Sequence, residues 1–349
     1  MGDNSKMSNS KKYEIDMCNG TIMDKLITFA VPLMLSGILQ LMFNAVDIIV
    51  VGRFSGSQAL AAVGSTTALI SVFTNLFIGV SLGANVLAAR FYAAGKHKEM
   101  SETVHTAITL ALVSGIVMAV IGFIMTRPAL ELMGTPDDVI GQSVLYMKIY
   151  FLGMPFFMLY NYGAAILRAV GDTKRPLIFL IISGLTNAVL NMILVICFHL
   201  DVAGVAIATV VSQMISCILV LRCLCHTDGS YQLKFSKLTM KGFYLKQIFQ
   251  VGIPAGIQST VINLSNALLQ SSVNSFGSIA MAGYTAANNI FGFLYVSVNS
   301  VTQSCMSFTS QNYGVGKYKR MDKVLVDCMI LSAGFSLILG CGAYFFGDR

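Results

Sequence analysis

Gln40, Asn44 and Asp47 fall at i, i+4 and i+7 inside a strongly apolar stretch, so they share one face of a helix. An acidic residue at the centre of a membrane helix costs about 2.5–3.5 kcal/mol on insertion scales. Asp47 lies toward one end of its stretch, where the cost is lower. Such a residue faces a protein interior or a wet cavity, and is a candidate proton or cation site. It can also snorkel to the headgroups or pair with Arg53, and the residues alone leave both readings open. Ser183, Asn187 and Asn191 recur at fours, Thr209, Gln213 and Ser216 share a face, and Asn263, Asn266 and Gln270 form a further stripe. Asn288, Asn289, Asn299 and Gln303 add a fourth group. Any one stripe is most simply helix–helix hydrogen bonding, worth about 0.6 kcal/mol per bond. Stripes on so many stretches point to a shared polar cavity, with Gln40, Asn44, Gln213, Asn263, Asn266 and Gln270 as candidate lining.

Other chemistry is sparse. Lys148 lines that cavity or snorkels on its long stem. Pro32 removes a backbone donor early in the first stretch, and acts there either as a hinge or as a helix-start proline. Cys223, Cys225 and His226 have no matching second pair, so no metal site is expected. His97, His105, His199 and His226 lie at or near stretch ends. With no paired acids and no Ser/His pair inside the stretches, an intramembrane enzyme is disfavoured and a non-enzyme is expected.

The elements that position these residues follow from composition. The 349 residues are 55% hydrophobic and 11% charged, whereas soluble domains carry about 25% charged residues. Nine mostly apolar windows, at about 26–51, 59–89, 104–126, 139–167, 176–199, 203–225, 247–274, 280–310 and 324–347, are each long enough to cross roughly 30 Å of hydrocarbon. No ten-residue alternation suggests a barrel, so an all-α integral membrane bundle is expected. Residues 1–24 are polar, lack a signal-peptide pattern and read as a cytoplasmic tail. Of the 23 basic residues, all but Arg53, Arg127, Lys148 and Arg349 then fall on the inner side. That is a positive-inside pattern, so the net charge of +7 reports topology and not nucleic-acid binding.

The chain also repeats itself. Ala30-Val31-Pro32 returns as Gly252-Ile253-Pro254, Asn44 as Asn266, and Tyr92-Ala93-Ala94-Gly95-Lys96 as Tyr313-Gly314-Val315-Gly316-Lys317. Asp47 has no counterpart, because Leu269 stands in its place. Six windows separate Pro32 from Pro254, so the repeats are parallel, as in transporters whose similar lobes rock about a central site. The expected organisation is a tail (1–24), a six-helix first lobe (25–226), a linker (227–246) and a three-helix partial second lobe (247–349). Extending the repeat gives nine of about twelve helices, with the rest beyond Arg349.

Three stretches together resemble the multidrug and toxin extrusion (MATE) family. They are Phe43-Asn44-Ala45-Val46-Asp47-Ile48-Ile49-Val50-Val51-Gly52-Arg53, Leu167-Arg168-Ala169-Val170-Gly171-Asp172-Thr173-Lys174-Arg175-Pro176, and Ala203-Gly204-Val205-Ala206-Ile207-Ala208-Thr209. The resemblance implies two six-helix lobes forming a V and export driven by a proton or sodium gradient. It implies a cation site made of Asp47, Asn187, Asn191, Thr209 and Tyr146. The family often has Asp where Asn191 stands, and a second-lobe acid near Asn263, so this chain is poorer in carboxylates. The expected function is coupled efflux of amphipathic organic cations by a monomer in the plasma membrane, N-terminus inside, with no cofactor beyond the coupling ion. A flippase for lipid-linked saccharides is the alternative, and it would need a more cationic cavity than Lys148 alone provides.

Overall fold

The computed structural model describes residues 13–274 and 278–346, apart from some side chains within the helices. These residues form ten α-helices: α1 (Met23–Phe54), α2 (Gly56–Ala93), α3 (His97–Leu132), α4 (Asp137–Leu152), α5 (Met154–Ala169), α6 (Lys174–Met192), α7 (Asp201–Cys225), α8 (Gly242–Asn274), α9 (Ser278–Gly314) and α10 (Tyr318–Phe346). A π-helical turn, Ile193–Cys197, extends α6. Pro155 in the first turn of α5 lacks the N–H that would continue α4, and the two helices bend by 47° at Gly153. They form one broken span.

With that pair, seven crossings among the described residues are long and apolar enough to span a bilayer. Helices α8 and α9, at 33 and 37 residues, have the length but are more polar. The nine expected windows each fall on observed helices, seven of them on crossings that are both long and apolar enough. Outward-facing side chains are apolar: Ile124 is 65% exposed and Leu337 70%. Water would not tolerate such surfaces over a whole bundle, and lipid does.

Helices α1–α7 enclose one core, while α8 and α9 lie against α2 and α1. The crossing of α2 and α8 is set by glycine. A Cβ on Gly79 would collide with the backbone of Gly256, and one on Gly252 would sit 2.5 Å from the Val80 Cα. Gly83 and Gly256 complete the pattern, a small-xxx-small stripe on each helix that lets the two backbones touch.

Residues 13–22, read from sequence as a tail, form an ordered strap across one end of the bundle. Glu14 accepts hydrogen bonds from the Tyr92 hydroxyl (2.6 Å) and the Tyr231 hydroxyl (2.7 Å). Met17 is fully buried, and its carbonyl accepts from Asn312 Nδ2 and Arg320 Nε. The strap thus links α2 and the α7–α8 connection to α9 and α10. It passes close to Gly171 (φ +95°), where a side chain would strike the Ile15 backbone.

Beside the strap, fully buried Asp172 pairs with Arg175, whose guanidinium also donates to Cys223 Sγ at 3.2 Å. Asp172→Asn keeps the shape and removes the charge, leaving the guanidinium poorly matched. It is expected to destabilise the protein by about 1–3 kcal/mol. Thermal unfolding in detergent measures this, and an unchanged midpoint would show that the pair holds nothing together.

Candidate functional site

Helices α1 and α6 approach closely because glycine lets them, and α7 packs beside α6. The Phe43 ring occupies the space that a Cβ on Gly184 would need, which brings the polar face of α1 against that of α6. There Asn191 Nδ2 donates both to Asp47 Oδ1 and to Asn187 Oδ1, the latter at 3.3 Å. Asn187 Nδ2 reaches Thr209 Oγ1 at 3.5 Å, and Thr209 donates to the Val205 carbonyl at 2.9 Å. The chain Asp47–Asn191–Asn187–Thr209 thus spans three helices. Asn191 Oδ1 is buried with no partner. Asp47 takes this amide and not Arg53, so the headgroup reading of Asp47 is set aside.

The chain opens on a central cavity of about 620 Å³. Asp47, Asn187, Thr209 and Tyr146 line it, together with Gln40, Asn44, Gln213, Asn263, Asn299 and Gln303. Tyr146 is stacked on Tyr150, ring centroids 6.2 Å apart. Fully buried Asn191 sits behind Asp47.

Some expectations are corrected. Asn266 does not line the cavity and is exposed, because three residues of helix turn it about 60° away from Asn263. The side chain of Gln270 lies outside the described residues. Lys148 turns away, its Nζ 4.7 Å from the centroid of the Phe123 ring. Pro32 lies in the interior of α1, nine residues past Met23, so it is not a helix-start proline. It leaves a carbonyl of the preceding turn without its helical donor.

Sequence reasoning missed several lining residues. Asn75, Tyr150, Phe157, Tyr160, Asn161 and Arg168 all face the cavity. Tyr150 lies one turn beyond Tyr146, so extending the i, i+4 rule would have found it. Arg168 stands at the end of its window, so the positive-inside pattern counts it among the inner-side cations.

The cluster of Asp47, Asn187, Asn191 and Thr209 holds one titratable carboxylate among amide and hydroxyl oxygens, the ligand types that protons and hard cations take. A bundle of long apolar helices around a polar cavity, with an amide-bound carboxylate on its wall, is the build of a membrane transporter. The MatE family profile matches residues 32–193 and 254–349, and the chain belongs to that family. "Probable multidrug resistance protein YoeA" of Bacillus subtilis (strain 168) is 32% identical over 308 residues, covering 85% of this chain and 66% of the relative. "Probable multidrug resistance protein YpnP" of the same strain is 27% identical, covering 88% of this chain and 68% of its own length. This chain thus spans about two thirds of these relatives. A solved structure described as an outward-facing conformation of a multidrug resistance MATE family transporter of the MOP superfamily superposes with a TM-score of 0.87. It is 20% identical and covers 94% of this chain and 73% of that one, a likeness of fold.

Proposed function

We propose that the protein is a cation-coupled exporter of amphipathic organic compounds, organic cations among them, working by alternating access. The observation that carries this reading is the hydrogen-bonded chain from Asp47 to Thr209 on the wall of the central cavity. An ionised Asp47 accepts from Asn191. A protonated Asp47 loses its charge and gains an O–H that needs an acceptor, so the charge-assisted contact between α1 and α6 weakens and a new hydrogen bond becomes available. The unpartnered Asn191 Oδ1 is the acceptor that a turn of the amide would present. Pro32 loosens α1 on the far side of the acid, so α1 can respond. Ion binding then biases the helices between two arrangements, and substrate is released as the cavity changes shape.

The basic residues support an N-terminus on the cytoplasmic side. Arg175, Lys317 and Arg320 all lie at the end of the bundle that carries the strap. We infer a monomer in the plasma membrane, with two lobes divided along the α7–α8 connection.

The test is export of a fluorescent organic cation from proteoliposomes under an imposed pH or sodium gradient. Export that follows either gradient is the expected result. No dye movement under both gradients would sink the reading. A lone carboxylate favours the proton, because sodium cages gain from a second negative ligand. Asn191→Asp supplies that second charge beside Asp47. It is expected to lower the sodium concentration for half-maximal export by about tenfold, equivalent to ~1.4 kcal/mol. A sodium titration of both proteins checks this, and identical curves would show that position 191 does not face the ion.

A further inference from the structure

The cavity has a second charged pole, which the coupling scheme does not use. Arg168 stands in the last turn of α5 and lines the cavity on the same side as Phe157, Tyr160 and Asn161. Its carbonyl accepts from the Gly171 N–H at 3.1 Å, but among the described residues its guanidinium has no hydrogen-bond or salt-bridge partner. The nearby acids are already engaged: Asp172 with Arg175, and Glu14 with two tyrosine hydroxyls. Asp47, the one acid lining the cavity among the described residues, is held by Asn191. Asn191 lies 17 residues beyond Lys174, the start of α6, so Asp47 is separated from that end of the helix by roughly 25 Å.

A guanidinium stays charged at any physiological pH, and leaving it unpaired in a part-dry cavity is unfavourable. Compensating the C-terminal dipole of α5 does not explain the arrangement, since a lysine turned toward water would do that equally well. The planar fork of donors matches a carboxylate or phosphate in two-point contact, whereas a neutral acceptor gains less from it and a cation is repelled. Phe157 and Tyr160 line the same cavity and supply aromatic surface for a flat aromatic body.

We propose that Arg168 is an anion subsite of the cavity, which takes the carboxylate or phosphate of an amphipathic aromatic substrate. The accepted compounds then include zwitterions and organic anions as well as cations. This rests on the transporter reading above, because it treats the cavity as a substrate site. Binding without any gradient nevertheless tests it separately.

The probes are a cationic rhodamine methyl ester and its free acid, which share a ring system and differ by one carboxylate. Fluorescence anisotropy is read on the full chain in phosphatidylcholine nanodiscs. The free acid is expected to bind at least about tenfold tighter than the ester, in line with a charge-assisted bidentate contact. Arg168→Gln should erase that preference by weakening the free acid, with the ester unchanged. Arg168→Lys, which keeps the charge and loses the fork, should fall between. It also carries the test if the glutamine variant does not fold. Asp47→Asn should keep the preference, which separates this subsite from the coupling residue. A free acid that binds the wild type no better than the ester overturns the proposal, as does equal loss of both dyes in either Arg168 variant. Phosphatidylglycerol in the nanodisc decides the source of the anion. Competition with the free acid that disappears in Arg168→Gln supports the subsite and assigns it a lipid headgroup. Lack of competition supports the subsite with a soluble anion as its ligand.

Discussion

Asp47→Asn is expected to abolish gradient-driven export while leaving the protein folded. The change is isosteric, and an asparagine amide can still hydrogen-bond to Asn191, so the contact between α1 and α6 survives. What is lost is the ability to alternate between a charged acceptor and a neutral donor. Without that alternation, ion binding has no differential interaction with the two arrangements of the helices, and it cannot shift their populations. Coupling free energies between sites are typically about 1–3 kcal/mol, or about 5–150-fold, and the variant should lose all of this. The measurement is initial-rate efflux of a fluorescent organic cation from proteoliposomes, with and without the gradient. Thermal unfolding of both proteins in detergent is the folding control. Equal gradient-dependent rates would remove Asp47 from the coupling step. An unfolded variant would instead assign Asp47 a structural role.

The second large effect is expected at the α2–α8 crossing. Gly79→Leu places a branched side chain where the Gly256 backbone now lies. Overpacked cores usually lose about 1–3 kcal/mol, because side chains can shift rotamers to make room. Here the obstacle is main chain on a second helix, with Gly83 and Gly252 in the same tight register. The helices must separate along their contact, and the dispersion energy of the whole seam is lost. The expected loss therefore exceeds that range, seen as a large fall in unfolding midpoint or in recovery of monodisperse protein. Gly64→Ala is the matched control, since nothing lies within 4 Å of the added carbon. It should change stability by no more than about 1 kcal/mol. A Gly79→Leu protein as stable as wild type would show that the close crossing is not what holds α8 against α2.

The spans were legible in the sequence because lipid imposes a local rule. A crossing segment must satisfy its own backbone and present apolar side chains, and both properties can be read one window at a time. The polar faces were legible for the same reason, since Gln40, Asn44 and Asp47 share a face in any helix. Even the broken fourth span left a mark in Gly153 and Pro155, which cannot continue a helix smoothly.

Partners were not legible, because a stripe says which face is polar and not what that face meets. That Asp47 finds Asn191, 144 residues away, depends on how closely Gly184 lets Phe43 approach. That Arg168 turns into the cavity while Lys148 turns onto Phe123 depends on helix rotation, which sequence windows do not record. The strap shows the same limit, since Glu14 sits in a polar segment and gains its role only from two tyrosines brought in from elsewhere. The sequence by itself determined an all-helical membrane protein with one acid in its first span. The tertiary structure alone decided which amides hold that acid and which cation shares its cavity, because helix rotation and approach arise from packing between distant segments.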